Sequence, residues 1–141
     1  MSKMRKLALA VLALFVVTLC GCQKNESVEL SQTAPIFEDG AVVGEGETEF
    51  EFSVKYDDGK VDRCTVKTDK KTVGEALLEN DIITGEDGAY GLYVKSVNGV
   101  VADFDKTGTY WAFYVNGEYA TNGVDSTEIK DGEKYSFEIG K

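Results

Sequence analysis

The sequence contains no histidine, one proline, one tryptophan and three cysteines in 141 residues. Without an imidazole there is no Ser-His or Cys-His pair and no His-ligated metal, which removes the commonest general base and the commonest metal ligand. Basic residues are scarce as well: 15 Lys plus Arg stand against 25 Asp plus Glu, a net charge of -10. That balance disfavours nucleic acid and anionic bilayer surfaces as partners. At this length a single compact domain is the expectation. Against these absences stand 15 Gly and 14 aromatic rings from seven Phe and seven Tyr.

The longest apolar run, Leu7 to Val17, follows Lys3, Arg5 and Lys6 and is shorter than the roughly 20 residues a spanning helix requires. A charged start, a short apolar stretch and the small-residue point Leu19-Cys20-Gly21-Cys22 form an export signal over residues 1–21. An uncleaved anchor is the competing reading. Leu19-Cys20-Gly21-Cys22 resembles the bacterial lipobox, which implies lipidation of Cys22 rather than Cys20, because bulky Leu19 precedes Cys20. Several acyl chains at about 0.8 kcal/mol per buried methylene hold a protein persistently on a membrane. The expected location is thus the extracytoplasmic face of the cell membrane, with a palmitate-type lipid anchor. Cleavage there removes three of the 15 basic residues and no acidic one, leaving 12 against 25, a net of -13. Cys64 is then the only thiol left, and strand alternation turns it inward as a small buried hydrophobe.

Residues 22–47 are polar and acidic, hold Pro35 and three of the glycines, and read as a flexible tether. The folded domain is expected over 48–141. Phe50, Phe52, Val54 and Tyr56 alternate with Glu49, Glu51, Ser53 and Lys55. After the turn Asp57-Asp58-Gly59-Lys60, a second strand runs from Val61 to Thr68. Thr72-x-x-Glu75 has capping-box spacing and opens a helix over 73–80. Residues 85–91 read as a loop, 92–97 as a strand, and Asn98-Gly99 and Asn116-Gly117 as tight turns. Residues 109–115 and 133–139 read as further strands. Asp103-x-Asp105-x-Thr107-Gly108 matches the first half of a calcium loop, but Tyr114 stands where the closing Glu belongs. The expected fold is α+β, a β-grasp-like mixed sheet of about five to six short strands on one helix.

Tyr90-Gly91-Leu92-Tyr93-Val94-Lys95-Ser96-Val97-Asn98-Gly99, then Tyr110-Trp111-Ala112-Phe113-Tyr114-Val115-Asn116-Gly117, then Gly123 and Asp131-Gly132-Glu133 form an ordered set. With the preceding Thr72-Val73-x-x-Ala76-Leu77, it resembles the transcobalamin-like C-terminal domain family over essentially the whole domain. The resemblance implies a soluble-ligand-binding module. In eukaryotic cobalamin carriers such a domain closes over the corrinoid held against a helical barrel. This sequence has no counterpart of that barrel, and without His any corrinoid would be held by shape and side-chain contacts alone.

Parity on 109–115 puts Trp111, Phe113 and Val115 on one face and Tyr110 and Tyr114 on the other. The apolar triplet is the natural core. Tyr110 and Tyr114, with Tyr93 on a neighbouring strand, Tyr119 after the turn, and Tyr90 and Asn122 on bordering loops, are then the candidate ligand-binding residues. Ordinary cross-strand pairing on a solvated face competes with this reading. A bulge that reversed the parity would expose Trp111 instead, and Trp111 matches a family aromatic near the ligand, so it belongs with the candidates. The acidic pairs Asp57-Asp58 and Glu86-Asp87 fall in turns, and no carboxylate pair is placed for acid-base work. The expectation is non-catalytic capture of a small soluble ligand, a corrinoid such as cobalamin being the implied class, for an envelope transporter or surface protein. A protein or glycan interaction module is the alternative. No cofactor, metal or nucleic-acid partner is expected.

Overall fold

The computed structural model describes residues 34–141. The lipobox, Cys22 and the export signal lie outside them. Within them the chain forms an α+β fold of two sheets. The larger has six strands in the order β1 (Ala41–Gly44), β3 (Val61–Thr68), β2 (Thr48–Lys55), β9 (Lys134–Gly140), β7 (Tyr110–Val115) and β8 (Glu118–Tyr119), and the smaller three, β4 (Ile83–Gly88), β5 (Gly91–Val97) and β6 (Val100–Val101).

The predicted hairpin is β2 (Thr48–Lys55) with β3 (Val61–Thr68), paired antiparallel with Phe52 opposite Cys64. Alternation drives it: Phe50, Phe52, Val54, Cys64 and Val66 are buried on one face. Helix α1 (Val73–Glu79) carries the anticipated capping box, Glu75 N–H donating to Thr72 Oγ1 at 3.2 Å and Thr72 N–H to Glu75 Oε2 at 3.3 Å. It buries Val73, Ala76 and Leu77. Gly74 lets the helix approach the 3-10 turn Val124–Ser126 closely, since a Cβ there would stand 2.8 Å from Asp125 Cα.

Strand β9 (Lys134–Gly140) lies between β2, to which it runs parallel, and β7 (Tyr110–Val115), to which it runs antiparallel. Its inward Tyr135 and Phe137 join Phe50, Phe52 and Phe113 in a packed ring cluster. Phe50 meets Tyr135 edge-on at 5.2 Å, and Phe113 meets Phe137 at 5.1 Å. Both Asn-Gly turns have positive φ at both residues, the geometry that matches strand twist, and connect β5 (Gly91–Val97) to β6 (Val100–Val101) and β7 to β8 (Glu118–Tyr119).

Three expectations are corrected, and one rejected motif finds its role. The last part of the 22–47 tether is folded: β1 (Ala41–Gly44) pairs parallel with β3, and Phe37 is buried edge-on against Phe52. A four-residue strand flanked by glycines is too short to show alternation. The loop at 85–91 is the outer part of a hairpin, β4 (Ile83–Gly88) pairing with β5 across a bulge at Thr84/Gly85. That hairpin belongs to the smaller sheet, so Tyr93 does not neighbour β7; it pairs with Glu86. The calcium half-motif is a helix cap instead: Asp103 Oδ1 accepts from Asp105 N–H at 3.2 Å and opens the one-turn helix α2 (Phe104–Thr107). Among the described residues no helix is long and apolar enough to cross a membrane.

Candidate functional site

Alternation on β7 places Trp111 and Phe113 in the core and Tyr110 and Tyr114 on the outer face, with Ala112 between them. Opposite on β9 stand Gly140, Glu138 and Ser136. The Tyr110 ring lies over Gly140, in space that a Cβ would fill. Tyr114 and Tyr119 face each other across β7 and β8, ring centroids 5.7 Å apart and nearly perpendicular. Burial by neighbours, and then the charges of Glu138, Tyr110 and Tyr119, push the Tyr114 phenol above its ordinary value. Three of the expected tyrosines therefore form one strip that ends, at Tyr119, on the edge of the large sheet.

Beyond Tyr119 that edge opens into a cleft of about 710 Å3. Asn122 lines it, as do Asn116 and Thr121 from the β7–β8 side, Ser126 and Thr127 from the 3-10 turn, and Glu133 ahead of β9. Several of these groups are fixed by the backbone they serve. Asn116 Oδ1 accepts from Lys134 N–H at 2.9 Å, and Thr127 Oγ1 donates to the Gly123 carbonyl at 2.9 Å. Glu133 Oε2 accepts from the Tyr135 hydroxyl at 2.7 Å. An exposed ring beside amides, hydroxyls and carboxylates offers a stacking surface with hydrogen-bond groups, a lining suited to a polar small molecule.

The remaining expected residues lie elsewhere. Trp111 is 7% exposed; its indole N–H donates to the Val100 carbonyl at 3.0 Å and ties the large sheet to β6. It is a core residue, and the parity reversal that would have exposed it does not occur. Tyr90 is fully exposed in the turn between β4 and β5, and Tyr93 sits on that hairpin. Of the seven expected binding residues, Tyr119 and Asn122 line the cleft, and Tyr110 and Tyr114 extend the strip from it. Ser126, Thr127 and Glu133 were missed because nothing local marks them; only the return of β9 to the sheet centre brings them beside Tyr119. Asn116 carried a signal, its Asn-Gly turn, that was read only as a turn. Among the described residues no three His, Cys, Asp or Glu side chains gather as a metal site would require.

Similar proteins bear on this geometry. A crystal structure of a protein from Ruminococcus gnavus ATCC 29149, proposed to bind metal, is 27% identical with a TM-score of 0.63; the match covers 67% of this chain and 98% of that one. Haptocorrin in complex with Cbi is 21% identical with a TM-score of 0.51, over 70% of this chain and 26% of haptocorrin. The chain thus spans about a quarter of haptocorrin's length and shares that part's fold, the transcobalamin-like fold that the sequence resembles. No curated protein matches the sequence. The family described as Domain of unknown function (DUF4430) matches residues 70–141, from the loop between β3 and α1 to the end of the sheet, and the chain belongs to that family.

Proposed function

We propose that this protein is a lipid-anchored binding protein on the outer face of the cell membrane that captures a small soluble ligand without catalysis, a corrinoid such as cobalamin being the class to test first. The observation that carries the reading is the cleft beside Tyr119 and Asn122 in a domain sharing its fold with part of haptocorrin, which was solved with Cbi. The β-grasp-like order supports it: a hairpin, a helix, and a last strand laid parallel beside the first strand of the hairpin. The lipobox at Cys22 supplies the anchor, and the ligand would pass to an envelope transporter or surface protein. In this reading Tyr119 stacks on the ligand, Asn122 supplies a directional hydrogen bond, and Tyr110 and Tyr114 extend the apolar contact.

Cobinamide and cobalamin are titrated into the full chain in detergent and followed by corrin absorbance. Saturable binding that weakens at least tenfold in Tyr119→Ala combined with Asn122→Ala is the expected result, since losing a central contact costs about 2 kcal/mol or more. No spectral change at millimolar ligand sinks the corrinoid assignment. The tyrosine strip favours a second reading, a protein or glycan interaction module. A partner recovered from envelope extract and lost in Tyr110→Ala with Tyr114→Ala would support that one instead.

The anchor has its own test. Expressed in a bacterium with labelled palmitate, the chain should take up label, keep it in Cys20→Ser and lose it in Cys22→Ser. Label that survives Cys22→Ser refutes the assignment.

A further inference from the structure

A second cleft, of about 560 Å3, shares no lining residue with the first. Its apolar walls are Pro35, Val100 and Ile139, and its polar groups are Tyr56, Asn98, Lys60 and three aspartates, Asp57, Asp58 and Asp62. The floor is a hydrogen-bonded chain whose donors are fixed. Asn98, 1% exposed, is held on the backbone of Phe37: its Oδ1 accepts from Phe37 N–H at 2.9 Å, and its Nδ2 donates to the Phe37 carbonyl at 3.1 Å. The same Nδ2 donates to the Tyr56 hydroxyl at 2.8 Å. The Tyr56 proton is thereby directed to Asp62 Oδ2, 2.9 Å away. Burial pushes the Tyr56 phenol up to about 12, with the bond from Asn98 lowering it and Asp62 raising it, so the phenol keeps its proton across the physiological range.

Asp62 thus accepts the Tyr56 proton at Oδ2 and leaves Oδ1 to an ion pair. Its side chain is 7% exposed, yet the partner of Oδ1 is the Lys60 ammonium at 3.5 Å, on a side chain that is itself 65% exposed. That ammonium also stands 6.0 Å above the Tyr56 ring. A cation between a carboxylate and an aromatic face is how ammonium ligands are commonly held. At the rim, Asp57 pairs with Lys141 at 2.8 Å, and Asp58 is spent on the turn, its Oδ1 accepting from Lys60 N–H at 2.9 Å. Two lysines thus face three carboxylates, and the local field is negative.

We propose that this cleft is a separate binding site for a small organic cation with a primary ammonium group, and that Lys60 is its built-in competitor. The ligand's ammonium takes the Lys60 position between Asp62 Oδ1 and the Tyr56 ring, and its alkyl part lies against Val100 and Ile139. Displacing Lys60 is cheap on the lysine's side, because its long side chain is 65% exposed and its ammonium returns to water when released.

The test uses the full chain in detergent, with pentylammonium chloride as probe and pentan-1-ol as neutral isostere. Trp111 is the only tryptophan and lies 6.4 Å from the Tyr56 ring, so its fluorescence reports binding. Saturable binding of pentylammonium, about two- to fivefold tighter in Lys60→Gln and lost in a folded Asp62→Asn, is the expected outcome. Lys60→Gln changes an exposed side chain and keeps the test decisive even if Asp62→Asn does not fold. Pentan-1-ol binding as tightly as pentylammonium, unchanged affinity in Lys60→Gln, or no saturable response in either chain overturns the proposal.

Discussion

Replacing Tyr135 by Ala should remove about 4 kcal/mol of stability, a large share of the 5–15 kcal/mol that small domains possess. Tyr135 sits on the strand flanked by β2 and β7, 1% exposed, opposite Phe52 on one side and Val115 on the other. Its ring meets Phe50 edge-on at 5.2 Å and stacks on Phe113 at 6.3 Å. Truncation would open a cavity where two sheet neighbours and two rings converge, and a close-packed core refills such a space only in part. The hydroxyl adds a separable contribution. It accepts from Lys130 N–H at 3.0 Å and donates to Glu133 Oε2 at 2.7 Å, and so pins the turn ahead of β9 beside the first cleft. Tyr135→Phe keeps the ring and removes both bonds, so it should cost only about 1–2 kcal/mol. Urea unfolding of the three chains decides it: midpoints should fall in the order wild type, Phe, Ala, at a common slope. A loss below about 1 kcal/mol in Tyr135→Ala would show that the ring cluster is not the centre of the core.

The residues of that cluster were legible in the sequence, because period-two alternation over seven or eight residues leaves few other readings for 48–55, 61–68 and 134–140. The capping box at Thr72 and Glu75 fixed the helix start for the same reason: a local pattern with a local cause. What stayed hidden was set by distance along the chain. β1 shows no pattern and exists because β3 offers it an edge. The placement of β9 beside β2 is not written in either strand. The sites divide in the same way. Tyr119 and Asn122, which line the cleft, were named from an aromatic strand and its following loop, whereas Ser126, Thr127 and Glu133 reach it only through the fold. The chain from Asp62 through Tyr56 to Asn98 and Phe37 joins residues up to 61 positions apart, and Asn98 was read only as a turn residue. Tyr93 failed differently: its strand was found but assigned to the wrong neighbour, because the smaller sheet forms from a hairpin read as a loop.

Raising the pH from 9 to 11 should strip stability from the folded domain, and Cys64 should account for about 2 kcal/mol of the loss. The thiol is 3% exposed between the sheet and its core partners, and burial pushes it from 9.0 up to about 12. The folded state therefore holds the proton more tightly than the unfolded chain. Stability falls with pH wherever the unfolded chain binds fewer protons, so the contribution is whole below pH 9 and is lost as pH climbs toward 12. Tyr135 acts in the same direction from pH 10 upward, since burial and its bond to Glu133 raise its phenol to about 12. Cys64→Ala separates the two. It costs a small cavity at every pH, lowering the whole stability curve. The curve should also become shallower between pH 9 and 11, whereas Tyr135→Phe should leave it steep from pH 9 to 10 and flatten it only above about pH 10. Urea midpoints of wild type and Cys64→Ala at pH 7, 9 and 11 are the measurement, and parallel curves for the two chains would sink the assignment. The same burial makes the thiol slow toward disulfide reagents at pH 8 in the folded chain, because the thiolate is the reacting species and the fold suppresses it. A thiol reacting as fast in the folded chain as in urea would place Cys64 at the surface and remove the basis for the pH dependence.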